Sequence, residues 1–330
     1  MKEFAYQAYS RRFKEPLRTA KGKWVHREGI LLRVIEGDRV GYGEVSPLVE
    51  FGTETFAEAE AYFANHLKSF DLDEGVPKNL PCCAFGLSTA LRNLNEKTIG
   101  GDRDFEVAGL LPAGNGAEAE LDKKLSLGYR VFKWKVGVAS VSEEQAIFKK
   151  LAAQLPTGGR LRLDANAAWS MATFKQWLKF LKEASEVVEF IEQPLAVGLE
   201  AEMLAARAEF GIEIALDESF NGVDGDRCFD EWPGICVIKA PLLGEVGYVQ
   251  SRLESLADRV VLSSVFETDI GFLNTLSLAK ALPKLELALG FDTLCFSDAL
   301  GNRQGGAVIH ASELAKLDME RVWEANGHLI

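Results

Sequence analysis

Apolar positions in this chain fall in short runs with a regular spacing. From about residue 105 onward, β-rich runs recur at intervals of roughly 22 to 30 residues, with helical patterns between them. The runs are EVAGL (106–110), RVFKWKV (130–136), RLRLDAN (160–166), VVEFIEQ (187–193), IEIALDE (212–218), GICVIKA (234–240), VVLSSVF (260–266) and LELALGF (285–291). Each interval has room for a strand, a helix and two loops, the repeat of a parallel sheet. Eight runs predict a barrel. The segments between them read as helices in detail: Ser170 is a candidate N-cap for SMATFKQWLKFLKEA, and EEQAIFKKLAAQL is amphipathic. A doubly wound open sheet is the structural alternative, but no GxGxxG fingerprint follows the early strands.

Residues 1 to about 100 have a different texture. GILLRVIEGDRVGYGEVSP reads as a hairpin turning at Gly37-Asp38, and TFAEAEAYFANHLKSF has helical spacing. Strands followed by helices predict a small α+β unit. A chain of 330 residues with 47% hydrophobic and 26% charged residues is long enough for one large domain beside a smaller one.

The formal charge of -12 argues against a nucleic-acid or anionic-membrane partner, because the general field repels phosphate. Five cysteines, odd in number and without CxxC spacing, fit buried thiols in a reducing compartment better than disulfides or a zinc knuckle. The first residues lack the apolar core of a signal peptide, and no apolar run approaches the ~18 residues of a membrane span. A cytoplasmic location is expected. Against this acidic background a local group of lysines is informative.

In (β/α)8 barrels the active site lies at the C-terminal ends of the strands. Here those ends are charged. Lys133 and Lys135 lie on the second run, Asp164 closes RLRLD, Glu192 closes EFIE, Asp217 closes IALD and Lys239 closes CVIK. Period-two alternation puts Lys133 and Lys135 on one face, with Phe132, Trp134 and Val136 opposite; Arg162, Asp164 and Asn166 likewise share a face. Singly, each acid reads as a helix cap or loop residue and each lysine as a solvated strand position. Together, three carboxylates on adjacent strands flanked by lysines point to a hard divalent cation, Mg²⁺ or Mn²⁺ rather than zinc. The four histidines (His26, His66, His310, His328) are scattered. A cation beside lysines suits proton abstraction α to a carboxylate, since neighbouring cations and partial burial ready a lysine to act as base.

The set KWK (133–135), LDAN (163–166), IEQP (191–194), LDES (216–219) and VIKAP (237–241) resembles the muconate-lactonizing subgroup of the enolase superfamily. The resemblance implies an α/β fold: a (β/α)7β TIM-like barrel, residues 105–304, with an α+β capping domain, residues 1–104 completed by 305–330. It implies that Asp164, Glu192 and Asp217 bind Mg²⁺, with Mn²⁺ a possible substitute. Lys135 would be the acid/base, Lys239 would face it, and Lys133 would neutralise the substrate carboxylate and depress the proton affinity of Lys135. Glu218 would stand beside the ligands or play a structural part.

Within the subgroup, RLDANAAW (162–169), VIKAPLLG (237–244) and SSVFETDIG (263–271) are similar to the o-succinylbenzoate synthase family. That likeness implies syn elimination of water from a small cyclohexadiene carboxylate, on the way to menaquinone or phylloquinone. Ser263, Ser264 and Gly290 would help shape a pocket for its succinyl tail, although small residues there also suit packing. Arg162 and Asn166 point inward, and Arg162 meets either substrate or a carboxylate neighbour. RTAKGKWVHREG (18–29) and PLVEFGTET (47–55) read as two loops closing over the substrate. A racemase or epimerase of acylamino acids or dipeptides, and a noncatalytic metal-binding barrel, are the other readings. Oligomeric state has no signature in the sequence.

Overall fold

The computed structural model describes the chain apart from residues 1, 20–21, 67–74, 96–102, 222–223, 283, 294–295, 297–304, 315 and 328–330. The N-terminal unit is an antiparallel meander of β1 (Glu3–Thr19), β2 (Gly22–Glu36) and β3 (Arg39–Val45), covered by α1 (Phe56–His66) and α2 (Pro81–Asn93). The predicted turn at Gly37-Asp38 joins β2 to β3, with Gly37 at φ +59°. Helix α2 lies directly on the sheet backbone at Gly43, where an added Cβ would stand 1.9 Å from the Gly86 carbonyl oxygen. Ile30, Leu32 and Val34 of β2 meet Phe63, Cys82, Cys83 and Leu87 in the core between them.

The span 18–29, expected as a loop, is instead the end of β1 and the start of β2. After a register shift between Arg12 and Leu17, Leu17 pairs with Trp24 and Thr19 with Gly22; residues 20–21 lie outside the described residues. Backbone pairing on both sides of that shift, Arg12 with His26 and Leu17 with Trp24, holds the span as strand rather than loop. The second expected loop, 47–55, carries a 3₁₀ turn at Val49–Phe51 closed by Gly52 at φ +81°.

After β4 (Phe105–Glu106), the chain alternates strand and helix: β5 (Gly109–Leu111), α3 (Gly116–Ser126), β6 (Val131–Lys135), α4 (Val141–Gln154), β7 (Arg160–Asp164), α5 (Met171–Leu181), β8 (Val188–Glu192) and α6 (Glu200–Phe210). It continues through β9 (Ile214–Leu216), α7 (Gly225–Glu231), β10 (Ile235–Ile238), α8 (Val246–Leu256), β11 (Val260–Leu262) and α9 (Asp269–Ala281). Strands β5 to β11 form one parallel sheet in chain order. Ser170 caps α5 by accepting from the Thr173 N–H at 3.1 Å, and Ser140 with Glu143 makes a capping box on α4.

Two expected strands are shorter than their apolar runs. Residues 106–110 divide: Phe105–Glu106 pairs with β12 (Val308–Ile309), and Gly109–Leu111 joins the barrel. The C-terminal segment competes for the first half of that run. The run 285–291 contributes two bridges, Leu289 with Val107 and Gly290 with Ser263. Backbone bonds from Ala108 N–H to Leu289 O and from Gly290 N–H to Leu262 O nevertheless close the ring.

Alternation sorts the barrel's side chains as expected. Phe132, Trp134 and Val136 join the helix-facing core, Trp134 meeting Trp177 of α5 edge-on at 6.5 Å. Phe190, Ala215, Val237 and Val261 fill the interior beneath the strand ends. Beyond α10 (Ala311–Leu314), α11 (Met319–Gly327) returns to the N-terminal sheet, packing Val322 and Trp323 on Tyr9, Leu31 and Tyr42. Among the described residues, no helix is long and apolar enough to cross a membrane.

Candidate active site

Strand register brings the charged ends level. Lys135 stands opposite Asp164 in the β6–β7 ladder, and Asp164 opposite Glu192 in β7–β8. The second match depends on a bulge. The ladder starts with Leu161 beside Val188 and would bring Asp164 next to Ile191, turning Glu192 toward the helices; an extra residue, Glu189, advances the register by one. Asp217 and Lys239 follow β9 and β10 two residues beyond the inward Ala215 and Val237, so they keep the inward face.

The three carboxylates are buried: Asp164 is 8% exposed, Glu192 1% and Asp217 1%. Lys133 bridges two of them, Nζ lying 2.7 Å from Glu192 Oε1 and 3.0 Å from Asp164 Oδ2. The Lys239 ammonium donates to both oxygens of Asp217. Lys135 instead donates to a neutral amide, Asn166 Oδ1, at 2.8 Å. Thus two lysines are tied to the acids and the third is turned to an uncharged partner.

Electrostatics follow from this crowding. Burial alone would push Lys133 down, but Asp164, Glu192 and Asp217 outweigh it and hold its ammonium well above the usual lysine range. Burial, reinforced by Asp164, pushes Glu192 up to about 8 despite Lys133. Burial and then Asp217 push Glu218 up to about 7. Glu218 Oε2 is buried and has no hydrogen-bond partner among the described residues. Three all-oxygen side chains that repel one another suit a hard divalent cation in donor type and charge. Among the described residues no acidic, histidine or cysteine trio stands in the spacing of a closed metal shell. The ammonium groups draw the carboxylates to themselves, so a cation would compete with Lys133 and Lys239 for the same oxygens.

The remaining expected residues divide. Arg162 is fully enclosed below the strand ends: its guanidinium donates to Glu189 and to the Ala288 carbonyl at 2.8 Å and lies over the Phe190 ring. It pins the bulge and does not reach the three carboxylates. Asn166 holds Lys135, as above. Ser263 and Gly290 pair backbone to backbone at the closing seam. The Ser264 hydroxyl donates to Glu267 Oε2 at 2.8 Å and accepts from the Phe266 N–H at 2.9 Å in its own loop and from the Thr293 hydroxyl at 3.0 Å beyond it.

Two contributors escaped the sequence reading. The Phe51 ring lies 4.4 Å from the Lys239 ammonium, a cation–π contact from the 47–55 segment. Gln193, fully buried at φ +36°, accepts from the Asp217 N–H at 3.0 Å and donates to Ser219 Oγ at 2.9 Å, fixing the loop that presents Asp217. The IEQP run placed Gln193 next to Glu192; nothing local in VEF pointed Phe51 at a lysine nearly two hundred residues away.

Residues 2–94 match the family model described as MenC, N-terminal domain, and residues 116–227 match Enolase C-terminal domain-like. An o-succinylbenzoate synthase from Thermosynechococcus vestitus is 36% identical over 271 residues, covering 79% of this chain and 84% of the relative. Another, from Yersinia enterocolitica, is 33% identical and covers 84% of this chain and 86% of the relative. The crystal structure of o-succinylbenzoate synthase from Thermosynechococcus elongatus BP-1, complexed with Mg in its active site, matches with a TM-score of 0.82 at 32% identity, over 98% of this chain and 99% of that one. The substrate-liganded L-Ala-D/L-Glu epimerase of Bacillus subtilis has a TM-score of 0.79 at 18% identity over 93% of this chain and 95% of that one, a likeness of fold.

Proposed function

The chain belongs to the o-succinylbenzoate synthase family of the enolase superfamily, and on that premise we propose that it dehydrates 2-succinyl-6-hydroxy-2,4-cyclohexadiene-1-carboxylate to 2-succinylbenzoate. The step belongs to menaquinone or phylloquinone synthesis. The observation that carries the residue assignment is the division among the lysines: Lys133 and Lys239 are bound by carboxylates, while Lys135 is held by a neutral amide. A base must not be neutralised by an ion pair, so Lys135 is the proton-transfer group.

Asp164, Glu192 and Asp217 would hold the cation, Mg²⁺ or its substitute Mn²⁺. When bound, it supplies positive charge to the substrate carboxylate as negative charge flows onto that group. Lys135 takes the proton α to the carboxylate, and the carbon–hydrogen bond becomes the new ring double bond. The carbon–oxygen bond on the same face breaks, and Lys135 returns the proton to the departing hydroxide, giving water. One group serving both steps requires syn geometry. Lys239, its ammonium already accepted by the face of Phe51, lies against the substrate ring and stabilises developing negative charge there.

Turnover of the cyclohexadiene substrate, abolished by chelator and by Lys135→Ala, tests the reading. Full turnover by the Lys135→Ala protein would overturn the assignment. Exchange of α-deuterium in N-acylamino acids, without dehydration, would replace the synthase by a racemase.

A further inference from the structure

Asn166 sits two residues beyond Asp164 in left-handed backbone, φ +44°, a conformation that asparagine tolerates better than most side chains. Three bonds hold it. Its N–H donates to Asp164 Oδ1 at 3.2 Å, its Oδ1 accepts from Lys135 Nζ at 2.8 Å, and its Nδ2 donates to Glu218 Oε1 at 3.4 Å. An amide has one acceptor end and one donor end. With a carboxylate on one side and a lysine on the other, a single orientation satisfies both, and Glu218 selects it.

We propose that Asn166 and Glu218 are positioning residues that set the direction of the lone pair on Lys135. The inference rests on the reading of Lys135 as the proton-transfer group. A neutral lysine amine has two N–H bonds and one lone pair. Asn166 Oδ1 can only accept, so it engages an N–H and leaves the lone pair for the substrate. Were the amide reversed, its Nδ2–H₂ would compete for that lone pair and the base would be blocked. In its ionised form Glu218 prevents the reversal, because the flipped amide would place its oxygen against a carboxylate. The side chain of Glu218 thereby acts on a base that it does not touch.

Glu218→Gln removes this selection, since glutamine can either donate or accept. The expected result is a loss in kcat of about 10²-fold, the scale of a misdirected catalytic group, with KM and calorimetric Mg²⁺ affinity within about two-fold of the parent. An E218Q protein with parental kcat, or one whose Mg²⁺ affinity falls in step with kcat, would overturn the proposal. If E218Q does not fold, Asn166→Ala takes its place: a loss confined to kcat supports the proposal and an unchanged kcat refutes it. An inactive parent, or an active K135A protein, would overturn this inference together with the proposed function. An inactive K135A protein beside an unaffected E218Q would overturn the inference alone.

Discussion

Lys133 and Lys135 stand two residues apart on one strand face, yet their surroundings differ. Lys133 is enclosed with Asp164 and Glu192, so removing it leaves the buried Asp164 without its counter-charge and the Glu192 carboxyl without its donor. Lys133→Met is expected to destabilise the metal-free protein by about 3 kcal/mol, read in urea denaturation, and Mg²⁺ should restore part of that loss. A loss below about 1 kcal/mol would show that the ammonium is not needed there. Glu192 gives a pH dependence of definite sign. Its carboxyl is held up at about 8 in the folded chain, against about 4.3 unfolded. The folded state therefore keeps a proton that the unfolded state has lost, and the contribution of this group to stability falls as pH rises from about 4.3 to about 8. A bound cation favours the ionised form, so the gain in melting temperature from Mg²⁺ should grow over that window. At a metal concentration of about 100 Kd the gain would be roughly 4 °C, from about 2.7 kcal/mol spread over the unfolding entropy of a chain this size. A gain that stays flat or shrinks with pH would refute the role of Glu192.

Closure of the barrel depends on the shortest of its strands. At Gly290 an added Cβ would stand 2.7 Å from Ser263 Oγ and 3.2 Å from its Cβ, so the seam requires glycine. Gly290→Ala is expected to cost about 1–3 kcal/mol, read in urea denaturation; a protein of parental stability would show that the seam yields freely. The same seam marks the limit of the sequence reading. Alternation in RVFKWKV and RLRLD located the inward lysines and Asp164, because period two is local. The division of residues 106–110 between β12 and the barrel was not legible, because it depends on a partner two hundred residues away. Nor was the bulge at Glu189, which decides whether Glu192 faces the mouth or the helices. In EFIE the parity of Glu192 alone was compatible with either side; the Arg162–Glu189 pairing that settles the register is a tertiary contact. The span 18–29 read as a loop because Gly22 and Gly29 resembled hinge positions, whereas the pairing from Leu17–Trp24 onward needs both strands in view.

At the scale of the whole molecule, the N-terminal unit is bolted to the barrel beside the site. Glu44 of β3, 1% exposed, accepts from Tyr9 O–H at 2.6 Å and Ser46 O–H at 2.8 Å on its own side. Across the junction it accepts from the N–H groups of Thr268 at 3.0 Å and Gly271 at 2.9 Å and from the Thr268 hydroxyl. Those donors form the first turn of α9, so a carboxylate from one unit caps and charge-matches a helix of the other. Burial, and then the Glu44 charge, hold the Tyr9 phenol well above its usual range and keep it a donor. Arg27 adds a second tie, donating to the carbonyls of Pro47 at 2.8 Å and Val265 at 2.9 Å, the segments that lead to Phe51 and away from Ser264. Because these ties join the two walls of the mouth, loss of one should loosen both sides together. Glu44→Ala strands buried donors in each unit and is expected to lower the unfolding free energy by about 3–5 kcal/mol. In hydrogen exchange, the amides of Thr268 and Gly271 and those of β3 should then lose protection in parallel. Faster exchange in β3 with an unchanged α9 would mean that Glu44 serves its own sheet and that the contacts of Arg27 suffice to join the units.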